Sequence, residues 1–433
     1  MKILHSSDWH LGRTLFGRRR HDEFTAFLDW LTHVLHARRP DALLVSGDIF
    51  DTGTPGVRAQ ELYYRFLRRA ADSPCRHVVI TAGNHDSPSF LDAPRTLLDA
   101  LRVHVVGAAL PPPAPENPDG TSLRHISNHK GMFDEVITLR DPAGRAELIV
   151  CAVPFLRDAD LRVSAPGEGQ TDREARLREG LLTHYAAVTE KARVRRAALE
   201  QEEGARVPLV MMGHLFAVGG KTVDGDGVRD LYVGSLAAMP ASAFAPDASY
   251  VALGHLHVPQ AVGGLEHIRY SGSPLPMGFG EATQQKSVCR AELNADGPAR
   301  VELLPVPCFR RLESLRGRRE AILARLDELI REQAEIWLEI TPDSPSSALR
   351  DELEAKVKDT RLDILRIRDR AVSNAALCAG ETEDILEELE PREVFERLLD
   401  AQHTEEEKRP VLRQTYAELL HELENAGTGP EAE

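Results

Sequence analysis

The chain has 433 residues, enough for two or three domains, and its 42% hydrophobic and 28% charged content is that of a globular protein. Its five cysteines (Cys75, Cys151, Cys289, Cys308 and Cys378) are widely spaced with no CxxC, which argues against a disulfide framework or a cysteine-rich zinc site. The net charge of −15 is concentrated in residues 381–433, with 17 acidic and 5 basic side chains; the rest of the chain carries only −3, so nucleic-acid binding by the body is not excluded.

The first hundred residues alternate. "MKILHSS" predicts a strand, and Phe24, Phe27, Leu28, Leu31, Val34 and Leu35 recur at helical spacing up to Pro40. "ALLVSGD" predicts a buried strand, Leu62 to Leu67 a second helix, and "HVVITAGNHD" a third strand running into a turn. A short helix around Leu97–Leu101 and the strand "VHVVG" follow. This βαβαβ order predicts parallel strands with helices on both faces of the sheet.

"PPPAPENPDG" is a loop. "EVITL" and "AELIVCAVPFL" predict strands, and a long charged helix reaches about Glu203. Strands resume at "PLVMMGH", "LYVGS", "YVALGH", "IRYSGS" and "KSVCRAEL", which places the end of the first domain near Ala291. Phe309–Ile330 predicts a linker or helix, and a smaller β-α-β unit follows in "IWLEI", Ala348–Lys358 and "LDILRIRD". Two amphipathic helices, Pro391–Leu399 and Val411–Leu423, precede a polar tail. The expected divisions are 1–291, 292–380, 381–425 and 426–433. No apolar run approaches the roughly 18 residues of a membrane span. The opening residues lack the apolar core of a signal peptide, so a cytoplasmic location is expected.

Polar clusters recur after the apolar strands. "SDWH" offers Asp8 and His10, "SGDIFD" Asp48 and Asp51, "GNHD" Asn84, His85 and Asp86, "MGHL" His214, and "LGHLH" His255 and His257. Ligands of α/β sheets gather at the carboxyl ends of strands. Imidazole and carboxylate, without thiolate, suit manganese, iron or zinc. In extended backbone residues i and i+2 point the same way, so one ion could take both Asp8 and His10 while Trp9 faces away. A carboxylate such as Asp48 could reach two ions at once.

The ordered set D-x-H, G-D-x-x-D, G-N-H-D, G-H and G-H-x-H resembles the calcineurin-like metallophosphoesterases. "SSDWHLGR", "GDIFDTGTP", "YVALGHLHVPQ" and "RYSGSPLPMGFGE" look like the bacterial break-repair nucleases of that superfamily, which work with an SMC-like ATPase. The resemblance implies an α/β sandwich of mixed sheets flanked by helices, a small α+β capping domain that binds DNA, and a C-terminal helix pair docking on the ATPase coiled coil. It implies two divalent ions, manganese by preference: one on Asp8, His10 and His257, the other on Asn84, His214 and His255, with Asp48 between them. His85 would act on the phosphate or the leaving oxygen, with Asp51 or Asp86 as its partner. The implied activities are double-strand 3′→5′ exonuclease and single-strand or hairpin endonuclease, in a dimer of nuclease subunits.

DNA contacts are expected from the basic clusters "GRRR" (Gly17–Arg20) and "FRRLESLRGRR" (Phe309–Arg319). The alternative is a metallophosphoesterase for small phosphodiesters or phosphoproteins. Phosphoprotein phosphatases of the superfamily carry an Arg where this chain has Thr52, and GNHE where it has Asp86.

Overall fold

A computed structural model describes residues 1–109, 134–161, 170–220, 239–344 and 346–368, together with Leu399, Arg409 and Tyr416. The chain divides into two units, Met1–Glu313 and Ser314–Glu433.

The first unit opens with β1 (Lys2–Ser6), a small hairpin of β2 (Thr14–Leu15) and β3 (Arg18–Arg19), and α1 (His21–Arg38). Helix α1 stops where Arg39 turns left-handed and its N–H bonds back to Leu35 O, immediately before Pro40. Next come β4 (Ala42–Ser46), α2 (Val57–Ala71), β5 (His77–Thr81), the short α3 (Pro88–Asp92) and α4 (Arg95–Asp99), and β6 (Val103–Val106). The chain continues through β7 (Val136–Arg140), β8 (Ala146–Ala152), α5 (Asp158–Leu161) and the 34-residue α6 (Gln170–Glu203). Strands β9 (Leu209–His214), β10 (Tyr250–Gly254), β11 (Gln260–Val262), β12 (Leu265–Tyr270), β13 (Ser287–Asn294) and β14 (Gly297–Pro305) complete the unit.

These strands form two six-stranded mixed sheets, ordered β14-β13-β1-β4-β5-β6 and β11-β12-β10-β9-β8-β7. Strands β1, β4, β5 and β6 run parallel in the first, and β12, β10, β9 and β8 in the second. This is the sandwich of mixed sheets that the family resemblance implied, and it corrects the narrower expectation, read from the βαβαβ order, of helices on both faces of one sheet. Ile3, Leu44 and Val79 pack against Val150, Met212 and Ala252 of the other sheet. Their strand neighbours Leu4, Leu43, Val45, Val78 and Ile80 point outward to α1 and α2. Helix α6 covers the far side of the second sheet through Leu181, Tyr185 and Val188. Each sheet thus buries one face under helices and the other under its twin. That doubly apolar strand looks the same in sequence as one between two helix layers.

The boundary expected at residue 291 falls instead at Glu313, because β13 continues to Asn294 and pairs with β14. The segment expected as linker or helix starts as a strand, β15 (Arg311–Gly317), before α7 (Arg319–Glu332). The second unit adds β16 (Ile336–Pro342), α8 (Ser347–Val357) and β17 (Leu362–Ile367), with strand order β15-β16-β17. Leu315, Ile322, Leu326, Leu338, Ile340 and Leu353 form its core. The Ser346 hydroxyl caps α8 by accepting the Leu349 N–H at 3.1 Å. The strand "LYVGS", the loop 111–120 and the helices 391–399 and 411–423 lie outside the described residues. Among the described residues no helix is long and apolar enough to cross a membrane.

Candidate metal centre

Five parallel strands aim their carboxyl ends at one place. Asp8 and His10 follow β1, Asp48 follows β4, Asn84 follows β5, His214 ends β9, and His255 and His257 follow β10. Asp8, His10, Asp48, His214, His255 and His257 are buried, whereas Asn84, His85 and Asp51 are half-buried. The centre therefore opens on the His85 side.

The extended-backbone argument for Asp8 and His10 does not hold. Both residues have left-handed backbone, φ 53° and 48°, as do Asp48 (51°) and His255 (φ 101°). Strand β1 ends at Ser6, so the pair meets through two left-handed backbone positions rather than through strand alternation. A left-handed non-glycine residue costs roughly 1–2 kcal/mol. Backbone bonds offset this: Asp8 N–H donates to Gly47 O at 3.0 Å, and His10 N–H donates to Asp48 O at 2.9 Å. Trp9 does face away. It is fully buried, edge-on to Phe27 and Phe66, with its indole N–H donating to Ser6 Oγ at 2.8 Å.

Glycines let the ligand segments crowd together. A Cβ on Gly47 would lie 2.2 Å from His214 Nδ1, and one on Gly83 would lie 2.1 Å from the Asp48 carboxylate. On Gly254 it would lie 1.8 Å from Ser46 O, so the backbones of the two sheets nearly touch there.

Donor atoms of Asp8, His10 and His257 lie within 4.8 Å of one another, and so do those of Asp8, Asp48 and His214. His10 Nε2 is 3.1 Å from His257 Nε2 and 3.6 Å from Asp48 Oδ2. Asp48 Oδ2 is also 3.3 Å from His214 Nε2, while its Oδ1 accepts the His85 N–H at 2.9 Å. Asn84 Oδ1 sits 3.0 Å from both His214 Nε2 and His255 Nδ1. All seven residues expected as ligands are brought together.

The electrostatics fit a cation. Burial works to raise the Asp48 carboxyl, yet His214, His10 and His85 outweigh it and hold it well below the usual carboxylate range. Burial works to lower His214, yet Asp48 and Asp8 carry it up to about 9. Two buried carboxylates are thus drawing positive charge to this spot, which a divalent ion supplies more fully than a proton. Burial pushes His10 down to about 4 and His255 to about 3, leaving neutral imidazoles suited to ligation.

The residues around the donors are placed differently from expectation. His85 Nδ1 donates to the Asp51 backbone carbonyl at 2.8 Å, not to a carboxylate. The Asp51 carboxylate accepts from Arg13 Nη1 at 3.1 Å and lies 3.4 Å from His10 Nδ1. Asp86 is a turn cap: its carboxylate accepts the N–H groups of Gly83, Ile49 and Phe50 at 2.8, 3.1 and 2.9 Å. Of the first basic cluster, Arg18 and Arg19 are exposed, but Arg20 is buried in a forked pair with Glu23 and is not free to reach DNA. In the second cluster Arg311 pairs with Glu313, and Arg319 with Glu352. Sequence reasoning missed Glu281, which is fully buried and whose Oε1 lies 3.5 Å from His257 Nδ1. It ends "MGFGE", a stretch whose only sequence signal is the family resemblance it carries.

A two-sheet α/β sandwich with carboxylate, amide and imidazole at its strand ends defines a metal-dependent phosphoesterase. Residues 1–259 match the calcineurin-like phosphoesterase family, and residues 308–403 match the Type 5 capsule protein repressor C-terminal domain. The SbcD component of nuclease SbcCD from Escherichia coli (strain K12) is 32% identical over 428 residues, 98% of each chain. The protein of the same name from Rhodobacter capsulatus is 36% identical over 83% of this chain and 84% of its own. That from Bacillus subtilis (strain 168) is 33% identical over 66% and 65%. The chain belongs to the SbcD nuclease family of calcineurin-like phosphoesterases.

Proposed function

We propose that this chain is a metal-dependent DNA nuclease, a double-strand 3′→5′ exonuclease and a single-strand or hairpin endonuclease, and the nuclease component of an SbcCD-type complex. The observation that carries this reading is the convergence of Asp8, His10, Asp48, Asn84, His214, His255 and His257 on one end of both sheets. In this reading Asp8, His10 and His257 would hold one ion and Asn84, His214 and His255 the other, with Asp48 available to both. Manganese is the preference that the family resemblance implies; the mixed imidazole and oxygen donors by themselves suit manganese, iron or zinc. Bound divalent ions supply Lewis acidity toward a phosphodiester and lower the pKa of water into the neutral range.

The chain's own residues do the rest. Asp48 Oδ1 holds the His85 backbone, and the Asp51 carbonyl fixes the His85 ring through Nδ1. Its Nε2 is then the atom that holds a proton for the leaving oxygen or for the phosphate charge. Asp51 acts on His10 and Arg13 with its side chain and hydrogen-bonds His85 with its backbone, its carboxylate also lying within 4.8 Å of the His85 ring. In this reading Arg18 and Arg19, both exposed, contribute phosphate contacts to the DNA. An SbcC-type SMC-like ATPase is the expected partner of the acidic C-terminal segment. A second copy of the chain is expected in the complex, working in the cytoplasm on the nucleoid.

The test is a Mn²⁺-dependent assay on end-labelled duplex and hairpin DNA, with and without the ATPase partner and ATP. Shortening of the duplex from its 3′ ends and opening of the hairpin are expected. Cleavage of a small phosphodiester with both DNAs left intact would overturn the reading.

A further inference from the structure

The imidazoles around the centre are backed by different groups. His214 Nδ1 donates to a neutral acceptor, Ser46 O, at 2.9 Å. His10 and His257 instead face carboxylates through Nδ1: Asp51 at 3.4 Å and Glu281 at 3.5 Å. Glu281 is the more constrained of the two. Its Oε2 accepts from Met277 N–H at 3.1 Å, from Ser273 Oγ at 3.3 Å and from the Lys286 ammonium. Lys286 is itself buried, and it also donates to His257 O at 2.9 Å. One short unit thus holds both the backbone and the ring of His257.

A buried Lys–Glu pair contributes little net stability, because desolvation offsets the attraction. Its placement is better explained by what it touches. With Oε2 committed to three donors, Oε1 is the oxygen directed at the imidazole. Carboxylates in this position fix a ligand histidine's tautomer and orientation.

We propose that Glu281, anchored by Lys286, is a positioning residue that orients His257 and thereby sets ion affinity at the Asp8–His10–His257 subsite. The inference rests on the two-ion reading and adds a residue to it.

The experiment is calorimetric titration of the full chain with Mn²⁺, with no DNA present, alongside thermal melting in chelator. Glu281→Gln should weaken one of two Mn²⁺ affinities by about 10- to 100-fold and leave the other within about 2-fold. In a His257→Ala background the same substitution should add no further loss. If Glu281→Gln does not fold, the double variant Glu281→Gln/Lys286→Met removes both buried charges and should show the same one-ion loss. Two unchanged affinities would overturn the inference, as would an equal weakening of both ions with a lowered melting temperature. Fewer than two Mn²⁺ bound by the wild-type chain would overturn the two-ion reading, and this inference with it.

Discussion

The two sheets meet at the centre with different chemistry. The first contributes Asp8, Asp48 and Asn84, which are all the oxygen donors, and a single imidazole, His10. The second contributes imidazoles alone: His214, His255 and His257. Alone, the first edge would be two buried carboxylates repelling each other, and the second a group of imidazoles with no counter-charge. Packed together, each supplies what the other lacks, as the low Asp48 and the raised His214 show. The site is therefore a property of the seam between the sheets rather than of either sheet.

Asp48 stands at the middle of that seam, and its loss should have the largest effect. Asp48→Ala is expected to lose both ions in a Mn²⁺ titration and to reduce cleavage to background. Retention of two ions would show that each sheet can hold metal without it. His85 belongs to the first sheet but is not a proposed ligand. His85→Gln should keep both ions while cleavage falls at least about 100-fold, the scale of lost acid–base catalysis. Near-normal cleavage in that variant would remove His85 from the mechanism.

Trp9 tests the helix-facing side of the first sheet. Trp9→Ala should cost about 3–5 kcal/mol in denaturant unfolding, with the remaining folded protein still binding metal. A small stability loss with abolished metal binding would reverse the roles assigned to its two sides.

The seam also carries a buried histidine outside the donor cluster. His5, on β1, bonds through Nδ1 to the Tyr250 hydroxyl of β10 at 3.0 Å, and burial pushes it down to about 3. Below pH ~6.5 the unfolded chain takes up a proton at His5 that the folded chain refuses. Its share of stability is intact above that pH and is lost as pH falls toward about 3, by up to about 1.4 kcal/mol per pH unit. His5→Gln should flatten the pH dependence of unfolding by that amount; an unchanged slope would show that His5 protonates without opening the seam. The smallest effect on the seam is expected from deleting residues 381–433, since both sheets are built from earlier parts of the chain. Mn²⁺-dependent cleavage should persist while capture of the ATPase partner is lost, and undiminished capture would refute the docking role.

Much of this seam was legible in the sequence because strand ends are written locally. An apolar run followed by Asp, His or Asn marks both the element and the donor, and five such runs yielded the seven residues that converge. The local turns were not legible. Nothing in "SDWH" distinguishes extended backbone from the left-handed backbone at Asp8 and His10. Contacts made through loops were also hidden. Asp51 hydrogen-bonds His85 through its backbone while its carboxylate lies within 4.8 Å of both the His10 and His85 rings, and Glu281 reaches His257 from a segment with no period linking the two. The second sheet's role as the cover of the first came from the family resemblance and was hidden from the apolar pattern itself. A strand buried under a sheet and one buried under helices are equally apolar.

The close approach at Gly254 gives the seam a mechanical tolerance. Ser46 O both accepts from His214 and occupies the place where a side chain on residue 254 would begin. The gap between the sheets is therefore set by the thickness of a bare backbone. One added methyl group, as in Gly254→Ala, would act as a shim. It would move the His255–His257 segment away from Asp48 without changing a single donor, turning the separation of the two sheets into a gauge of how well the centre holds its ions.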